Sequence, residues 1–339
     1  MRGIQIVEPY EIKMVTLQKP IITQENNVLI KMKAAGICGS DVGIYHGTNA
    51  AAVYPRVIGH EMVGVVEEIG DDVSKVKVGD RVIVDQVVKC GECYACRHGR
   101  GNVCQNLKVR GVHIDGGYQE YIAVPEQDCY LIPEGLSNED AIMIEPTTIA
   151  IQSCARANLV KEDNLLLLGC GALGSSILKI ARLSGATIIV ADVVEEKLQE
   201  ALENGAHYAI NLKKENLEQK VQEYTGGYGP TVSIDAVCNK DSLANLLNVT
   251  GNAGRVITMG FSVSPTEVTQ YSITSKELDV RGSRLQNEKF QEAVDLIQKG
   301  CLDLNGSVSH VFPFMDVQKA FDFIESRNPS IRKVVLTFE

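Results

Sequence analysis

The pattern of apolar and polar positions changes character twice along the 339 residues. Up to about residue 148, short alternating stretches such as Val28-Leu29-Ile30-Lys31-Met32-Lys33 and Arg81-Val82-Ile83-Val84 predict strands. Frequent Gly and Pro between them predict a compact β-rich domain with many turns. From 149 to 288, strands and helices alternate. Leu165 to Leu168 reads as a buried strand, and Leu173, Ile177 and Ala181 recur at helical spacing until Gly185 closes the helix. Thr187 to Ala191, Val232 to Val237 and Arg255 to Met259 repeat the strand theme. Strands separated by helices predict a doubly wound parallel sheet, so the chain as a whole reads as α/β. From 289 to 339 the pattern predicts a helix over Glu288 to Gln298, a strand near His310, a helix near Phe321 and a closing strand from Lys333 to Thr337. Periodicity does not say which domain this last segment completes.

Composition narrows the class. Hydrophobic residues make up 45%, enough for a filled core, and the formal net charge is -10. An acidic chain repels phosphate backbones and anionic lipid, so nucleic acid and membrane surfaces are not expected partners. Glu8 and Glu11 interrupt the N-terminal segment where a secretory signal needs an apolar core. No run approaches the roughly 20 apolar residues of a membrane helix, and a cytoplasmic protein is expected. Ten cysteines in such a chain point to metal or catalysis rather than disulfides. Cys129, Cys154, Cys170, Cys238 and Cys301 are scattered and read as small apolar residues.

Gly169-Cys170-Gly171-Ala172-Leu173-Gly174 spells G-x-G-x-x-G between a strand and a helix, and the next strand ends on Asp192. That is the full βαβ context of a dinucleotide fingerprint. Gly169 permits the tight turn, Gly171 the approach of the pyrophosphate, and Gly174 close helix–strand packing. The helix N-terminus offers free N–H groups to the phosphates. Asp192 suits the ribose hydroxyls and repels a 2′-phosphate, and Val193 and Val194 supply no Arg for one, so NAD is favoured over NADP. Ala172, Leu173 and Lys197 complete the candidate cofactor-binding set on this side.

Cys90, Cys93, Cys96 and Cys104 lie within fifteen residues. Four thiolates close a tetrahedral zinc shell, so this site is expected to be structural; spacing alone also admits an iron–sulfur cluster. A second constellation is dispersed: Cys38 in Gly-Ile-Cys-Gly-Ser-Asp, His60 and Glu61 in Gly-His-Glu, and Glu145 in Ile-Glu-Pro. Three such ligands with one exchangeable position make a catalytic zinc. Singly, Cys38 and His60 read as core residues and Glu145 as a surface acid, and spacing does not prove that they converge.

CGSD at Cys38, YPRVIGHE ending at Glu61, GHExxGxVxxxG from Gly59 to Gly70, GDRV at Gly79, the four-Cys lobe and the glycine fingerprint occur in one order along essentially the whole chain. In these the sequence resembles the zinc-dependent medium-chain alcohol dehydrogenases, in the sorbitol and threonine dehydrogenase branch. YPRVIGHE, GVHIDGGYQEY and KELDVRGSR look like bacterial starvation-sensing and L-galactonate oxidoreductase-like members. The resemblance implies a GroES-like catalytic domain over 1–148, a Rossmann NAD-binding domain over 149–288, and a segment 289–339 returning to the first, with the active site in the cleft. It implies one catalytic and one structural zinc. Cys38 and His60 are carried over as ligands, with Glu61 and Glu145 competing for the third protein position.

It further implies that Ser40 accepts the alcohol proton and that Ser283 and Arg284 lie near the nicotinamide. The metal acts as a Lewis acid on the alcohol, and a hydride passes to NAD. Gly43 stands where relatives often carry a relay histidine; His46 is a candidate substitute or a surface loop residue. Arg56, Arg110 and His113 are basic residues near the expected site, and an Arg fork suits a carboxylate. The expected substrate is therefore a polyol or a sugar acid of the L-galactonate, gulonate or idonate type, oxidised at a secondary alcohol. A zinc-free quinone reductase would lack the Cys and His ligands. A non-catalytic NAD-binding regulator on the same scaffold is the alternative reading. A homo-oligomer, dimer or tetramer, is expected by resemblance alone.

Overall fold

The structure is a computed structural model and describes residues 1–261, 263–326, 328 and 330–339. Its strands in chain order begin with β1 (Arg2–Glu8), β2 (Glu11–Thr16), β3 (Asn27–Ile37), β4 (Arg56–Val57), β5 (Glu61–Ile69), β6 (Arg81–Val84), β7 (Val87–Val88), β8 (Lys108–Val109), β9 (Tyr121–Pro125) and β10 (Cys129–Leu131). They continue with β11 (Asn164–Leu168), β12 (Thr187–Asp192), β13 (Tyr208–Asn211), β14 (Val232–Asp235), β15 (Arg255–Thr258), β16 (Asp279–Gly282), β17 (His310–Pro313) and β18 (Val334–Thr337). Two compact units emerge: Met1–Pro146 with Phe290–Glu339, and Thr147–Lys289.

The first unit is built on β3. Its Val28, Ile30 and Met32 share one face at the strand period of two and pack with Met62, Val66, Val82, Val84, Ile122 and Val124. The sheet runs β10-β6-β5-β3-β18-β17, with β9 also paired to β3. β5 is antiparallel to β3 with Gly36 opposite Glu61, and β18 is antiparallel on the other side with Val334 opposite Ile37. One end of this sheet therefore collects the end of β3, the start of β5 and the start of β18. That register, rather than any local motif, brings distant side chains together.

The second unit is a parallel sheet in the order β13-β12-β11-β14-β15-β16. The chain moves outward from β11 to β13 and then outward the other way from β14, so the order reverses between β11 and β14. Ligands of such sheets bind at the carboxyl ends of the strands at this reversal. Leu166, Leu168, Ile189 and Ala191 pack under Ile210, Leu246 and Leu247, which explains the unbroken apolar runs of these strands.

Two predicted boundaries shift for physical reasons. The strand read as Val232 to Val237 stops at Asp235, whose Oδ1 accepts from the Val237 and Cys238 N–H groups and turns the chain out of the sheet. The helix read from Glu288 begins at Phe290, because Glu288 sits at φ +57°, a left-handed conformation outside any helix.

Candidate metal and dinucleotide sites

β3 ends at Ile37, and Cys38 becomes the N-cap of the helix Gly39–Tyr45. β5 starts at Glu61, directly after His60. Because β3 and β5 pair at this end, ligand atoms of Cys38, His60 and Glu61 all lie within 4.8 Å of one another. Asp41, fully buried, braces them from behind. Its Oδ2 accepts from the Cys38 N–H at 2.9 Å and its Oδ1 from the Gly59 N–H at 3.3 Å. Oδ1 also lies 3.6 Å from His60 Nδ1, beyond a hydrogen bond but within an ion pair. Burial works to lower the His60 pKa, but the neighbouring Asp41 and Cys38 charges outweigh it and hold the imidazole well above its ordinary range.

Glu61 is 1% exposed and is held through Oε1 by the Lys333 ammonium, itself 5% exposed. Its Oε2 lies 1.7 Å from where a Cβ on residue 36 would stand, so the carboxylate keeps this position only beside a glycine. Burial tends to lower the Lys333 pKa, yet the Glu61 and Cys38 charges raise it overall. Glu145, in the first turn of the helix Ile144–Ala157, accepts from Gln86 Nε2 on Oε1 and is not in the three-ligand set. Burial pushes its carboxyl up to about 8; the His60 charge opposes this and the Glu61 charge adds to it. Tyr118 fills the floor, its hydroxyl donating to the Gly36 carbonyl at 3.1 Å and its ring occupying the space beside Gly59.

These residues fit a divalent cation. Glu61 Oε2 and Ser40 Oγ are buried without a hydrogen-bond partner among the described residues. Buried polar atoms are normally paired, so the unpaired Glu61 oxygen, within the converging Cys38, His60 and Glu61 set, asks for a ligand. The donors are one thiol, one imidazole and one carboxylate, a set that suits zinc.

The four-Cys lobe fits a closed tetrahedral shell. Sγ separations are 3.5 Å for Cys93–Cys96, 3.8 Å for Cys93–Cys104 and 3.4 Å for Cys90–Cys104. A tetrahedron of thiolates at about 2.3 Å from zinc has edges of roughly 3.8 Å. All ten cysteines are free, which removes the disulfide alternative. Backbone N–H groups of Cys90, Gln105 and Asn106 point at these sulfurs, as thiolates require. His98 turns away, bonded to the Tyr94 carbonyl and stacked on its ring.

In the second unit the glycine loop lies between β11 and the helix Ala172–Ala181, so Ala172 and Leu173 form the first helical turn. Gly169 has φ +97°, and a Cβ at Gly174 would stand 2.0 Å from the Gly169 carbonyl. Beyond Gly171 there is open space. Asp192 ends β12; Oδ2 accepts from the Cys170 N–H at 2.7 Å and Oδ1 from the Val193 and Val194 N–H groups. A cavity of about 540 Å³ lies beside it, lined by Leu168, Asp192, Val193, Leu212, Val237 and Asn239 among others. Lys197, on the helix Glu195–Glu203, is near enough for its charge to act on Cys170. Ser283 follows β16 at the same carboxyl edge and is buried, and the Arg284 guanidinium lies 5.4 Å from the Phe261 ring centre.

Other candidate residues are engaged elsewhere. Arg110 binds the Asp85 carbonyl and the Asp128 carboxylate, each at 2.7 Å. Arg56 pairs with Asp115 at 2.8 Å, and His113 Nδ1 accepts from the Val109 N–H. His46 caps the far end of the helix that begins after Cys38, bonds Glu325, and packs its ring at a tilt against Tyr10 and Tyr45. Motif reading missed Lys333 and Gln86. The only signal for either was a lysine at the mouth of an apolar closing strand and a glutamine inside an apolar run.

A unit carrying a thiol–imidazole–carboxylate metal pocket and a four-thiolate lobe, joined in one chain to a nucleotide-binding parallel sheet, defines a zinc-type alcohol dehydrogenase. Residues 24–134 match the alcohol dehydrogenase GroES-like domain, and residues 172–299 match the zinc-binding dehydrogenase family. The chain is 40% identical over its full length, and 99% of the relative's, to the starvation-sensing protein RspB of Escherichia coli K12. It is 30% identical to L-galactonate-5-dehydrogenase of the same organism, covering 94% of this chain and 93% of that one. A crystal structure of the alcohol dehydrogenase rspB from E. coli CFT073, complexed with NADH, superposes with a TM-score of 0.94 at 39% identity, covering 100% and 99% of the two chains. The chain belongs to the zinc-binding, GroES-like medium-chain alcohol dehydrogenase family and is an oxidoreductase of the alcohol dehydrogenase type.

Proposed function

We propose that this protein oxidises a secondary alcohol of a polyol or sugar acid with NAD, using a zinc ion held by Cys38, His60 and Glu61. The observation that carries this is the convergence of those three ligand groups with unpaired buried atoms among them. When bound, the metal supplies a Lewis acid that acidifies the substrate hydroxyl. Asp41 orients the His60 ring by facing Nδ1, which leaves Nε2 as the nitrogen for the metal. Ser40, whose Oγ is buried without a partner among the described residues, would accept the alcohol proton. Glu145, braced by Gln86, is a neighbouring carboxylic acid that exchanges with Glu61 or hydrogen-bonds near the metal. Cys90, Cys93, Cys96 and Cys104 hold a second, structural zinc.

NAD is proposed over NADP because Asp192 places a carboxylate at the end of β12, in the wall of the 540 Å³ cavity that would take the adenosine half. Gly169, Gly171, Ala172, Leu173 and Gly174 cradle the pyrophosphate, with Lys197, Ser283 and Arg284 further cofactor contacts. The sugar-acid preference rests on similarity to L-galactonate-5-dehydrogenase rather than on an arginine fork, since Arg56 and Arg110 already hold protein carboxylates. No described helix is long and apolar enough to cross a membrane. A cytoplasmic location and a homo-dimer or homo-tetramer are proposed on resemblance.

The test is NAD and NADP reduction against a panel of polyols and hexonic acids, with and without a chelator. Chelator-sensitive reduction of NAD by members of the panel supports the assignment. NAD binding with no turnover on any secondary alcohol would instead favour a non-catalytic regulator.

A further inference from the structure

Lys333 is a buried ammonium beside Glu61, and it comes from the far end of the chain. It precedes β18, whose first residue Val334 pairs with Ile37, one residue before Cys38. Ser309 fixes its backbone on both sides: the Ser309 hydroxyl donates to the Lys333 carbonyl at 2.9 Å and accepts from the Arg332 N–H at 2.9 Å. The ammonium is thus delivered to Glu61 by strand register, not by a flexible reach. It takes Oε1, while Oε2 stays unpaired over the Gly36 backbone.

We propose that Lys333 is a positioning residue that makes Glu61 a one-oxygen, displaceable ligand of the metal held by Cys38 and His60. A carboxylate already neutralised by a buried ammonium is a poorer donor to a second cation. With Oε1 occupied it cannot chelate with both oxygens. A coordination position that an unrestrained glutamate would fill would thereby stay open to a substrate oxygen. The inference rests on the assignment of Cys38, His60 and Glu61 as the metal site.

The experiment uses the full chain loaded with Co²⁺, whose visible d–d absorption weakens as its coordination number rises. Cys38→Ser protein supplies the four-Cys background for subtraction. Lys333→Met frees Glu61, so its Co²⁺ absorption falls and chelator-driven release slows on the order of tenfold. Lys333→Arg restores both values to those of the parent. In a Glu61→Gln background, Lys333→Met changes neither. Faster release in Lys333→Met, an unchanged spectrum, or an equal effect in Lys333→Arg overturns the role of Lys333. Parent protein showing no Co²⁺ signal beyond that of Cys38→Ser overturns the metal site itself.

Discussion

Asp41 Oδ1 stands 3.6 Å from His60 Nδ1 while the same carboxylate holds the Cys38 N–H. One buried acid thus orients two ligands, one just after β3 and the other just before β5. It sits three residues past Cys38, in the first turn of a seven-residue helix, where it also faces the helix N-terminus. Asp41→Asn keeps the shape and removes the charge. Metal affinity at the Cys38–His60 pocket should fall roughly 10- to 100-fold, the usual cost of losing such a partner. Chelator competition against the parent protein measures it, and an unchanged affinity would show that Asp41 only caps the helix.

Gly36 is the counterpart on the Glu61 side. A methyl there would stand 1.7 Å from Glu61 Oε2 and 2.5 Å from Ile142 Cγ2. Gly36→Ala should expel the Glu61 carboxylate and cut kcat/KM on the order of 100-fold or more, as angstrom-scale displacements do. The strand itself should survive, because β3 pairs along most of its length. Circular dichroism at parental strength beside lost turnover is the expected pair of results.

At the nucleotide site, Asp192→Gly removes an acceptor of three backbone N–H groups and the charge that repels a 2′-phosphate. Hydrogen bonds to a charged group are worth about 1.5–3 kcal/mol each, so losing the ribose contacts should raise KM for NAD roughly 10- to 100-fold. KM for NADP should fall at the same time. Parallel titrations of the two cofactors decide it; an unchanged ratio would place the ribose elsewhere.

The four-Cys lobe has two-stranded pairing, β7 with β8, and one four-residue helix to hold it. Its order should therefore depend on metal. Cys93→Ser should release one zinc per chain and lower the unfolding temperature by roughly 5–10 °C. Full zinc retention in that variant would contradict a tetrathiolate site.

His46 tests a different expectation. It stands at the C-terminal end of the helix that Cys38 caps, bonded to Glu325. A relay residue should govern the pH dependence of turnover; a surface staple should not. His46→Ala is expected to leave the pH profile of kcat in place, and a flattened profile would restore the relay.

What could be read from the residues alone follows sequence distance. The glycine fingerprint, its strand and helix, and Asp192 are local, so spacing carries them. Cys90 to Cys104 are local too. Cys38, His60 and Glu61 meet only because Gly36 pairs with Glu61 across β3 and β5, and no periodicity encodes that register. Motif resemblance pointed to them where spacing could not. Lys333, 272 residues from Glu61, was invisible for the same reason. Arg56 and Arg110 show the converse: a basic residue near a site suggests an anion, but Asp115 and Asp128 had already claimed them.

A metal ion at Cys38, His60 and Glu61 is proposed to drive alcohol oxidation by NAD. Zinc counting alongside NAD reduction, in the parent and in Cys38→Ser, addresses it most directly. Two zinc ions per parent chain, one in the variant, and turnover lost with the missing ion are expected. A Cys38→Ser protein that keeps both metals and reduces NAD at the parental rate would contradict it.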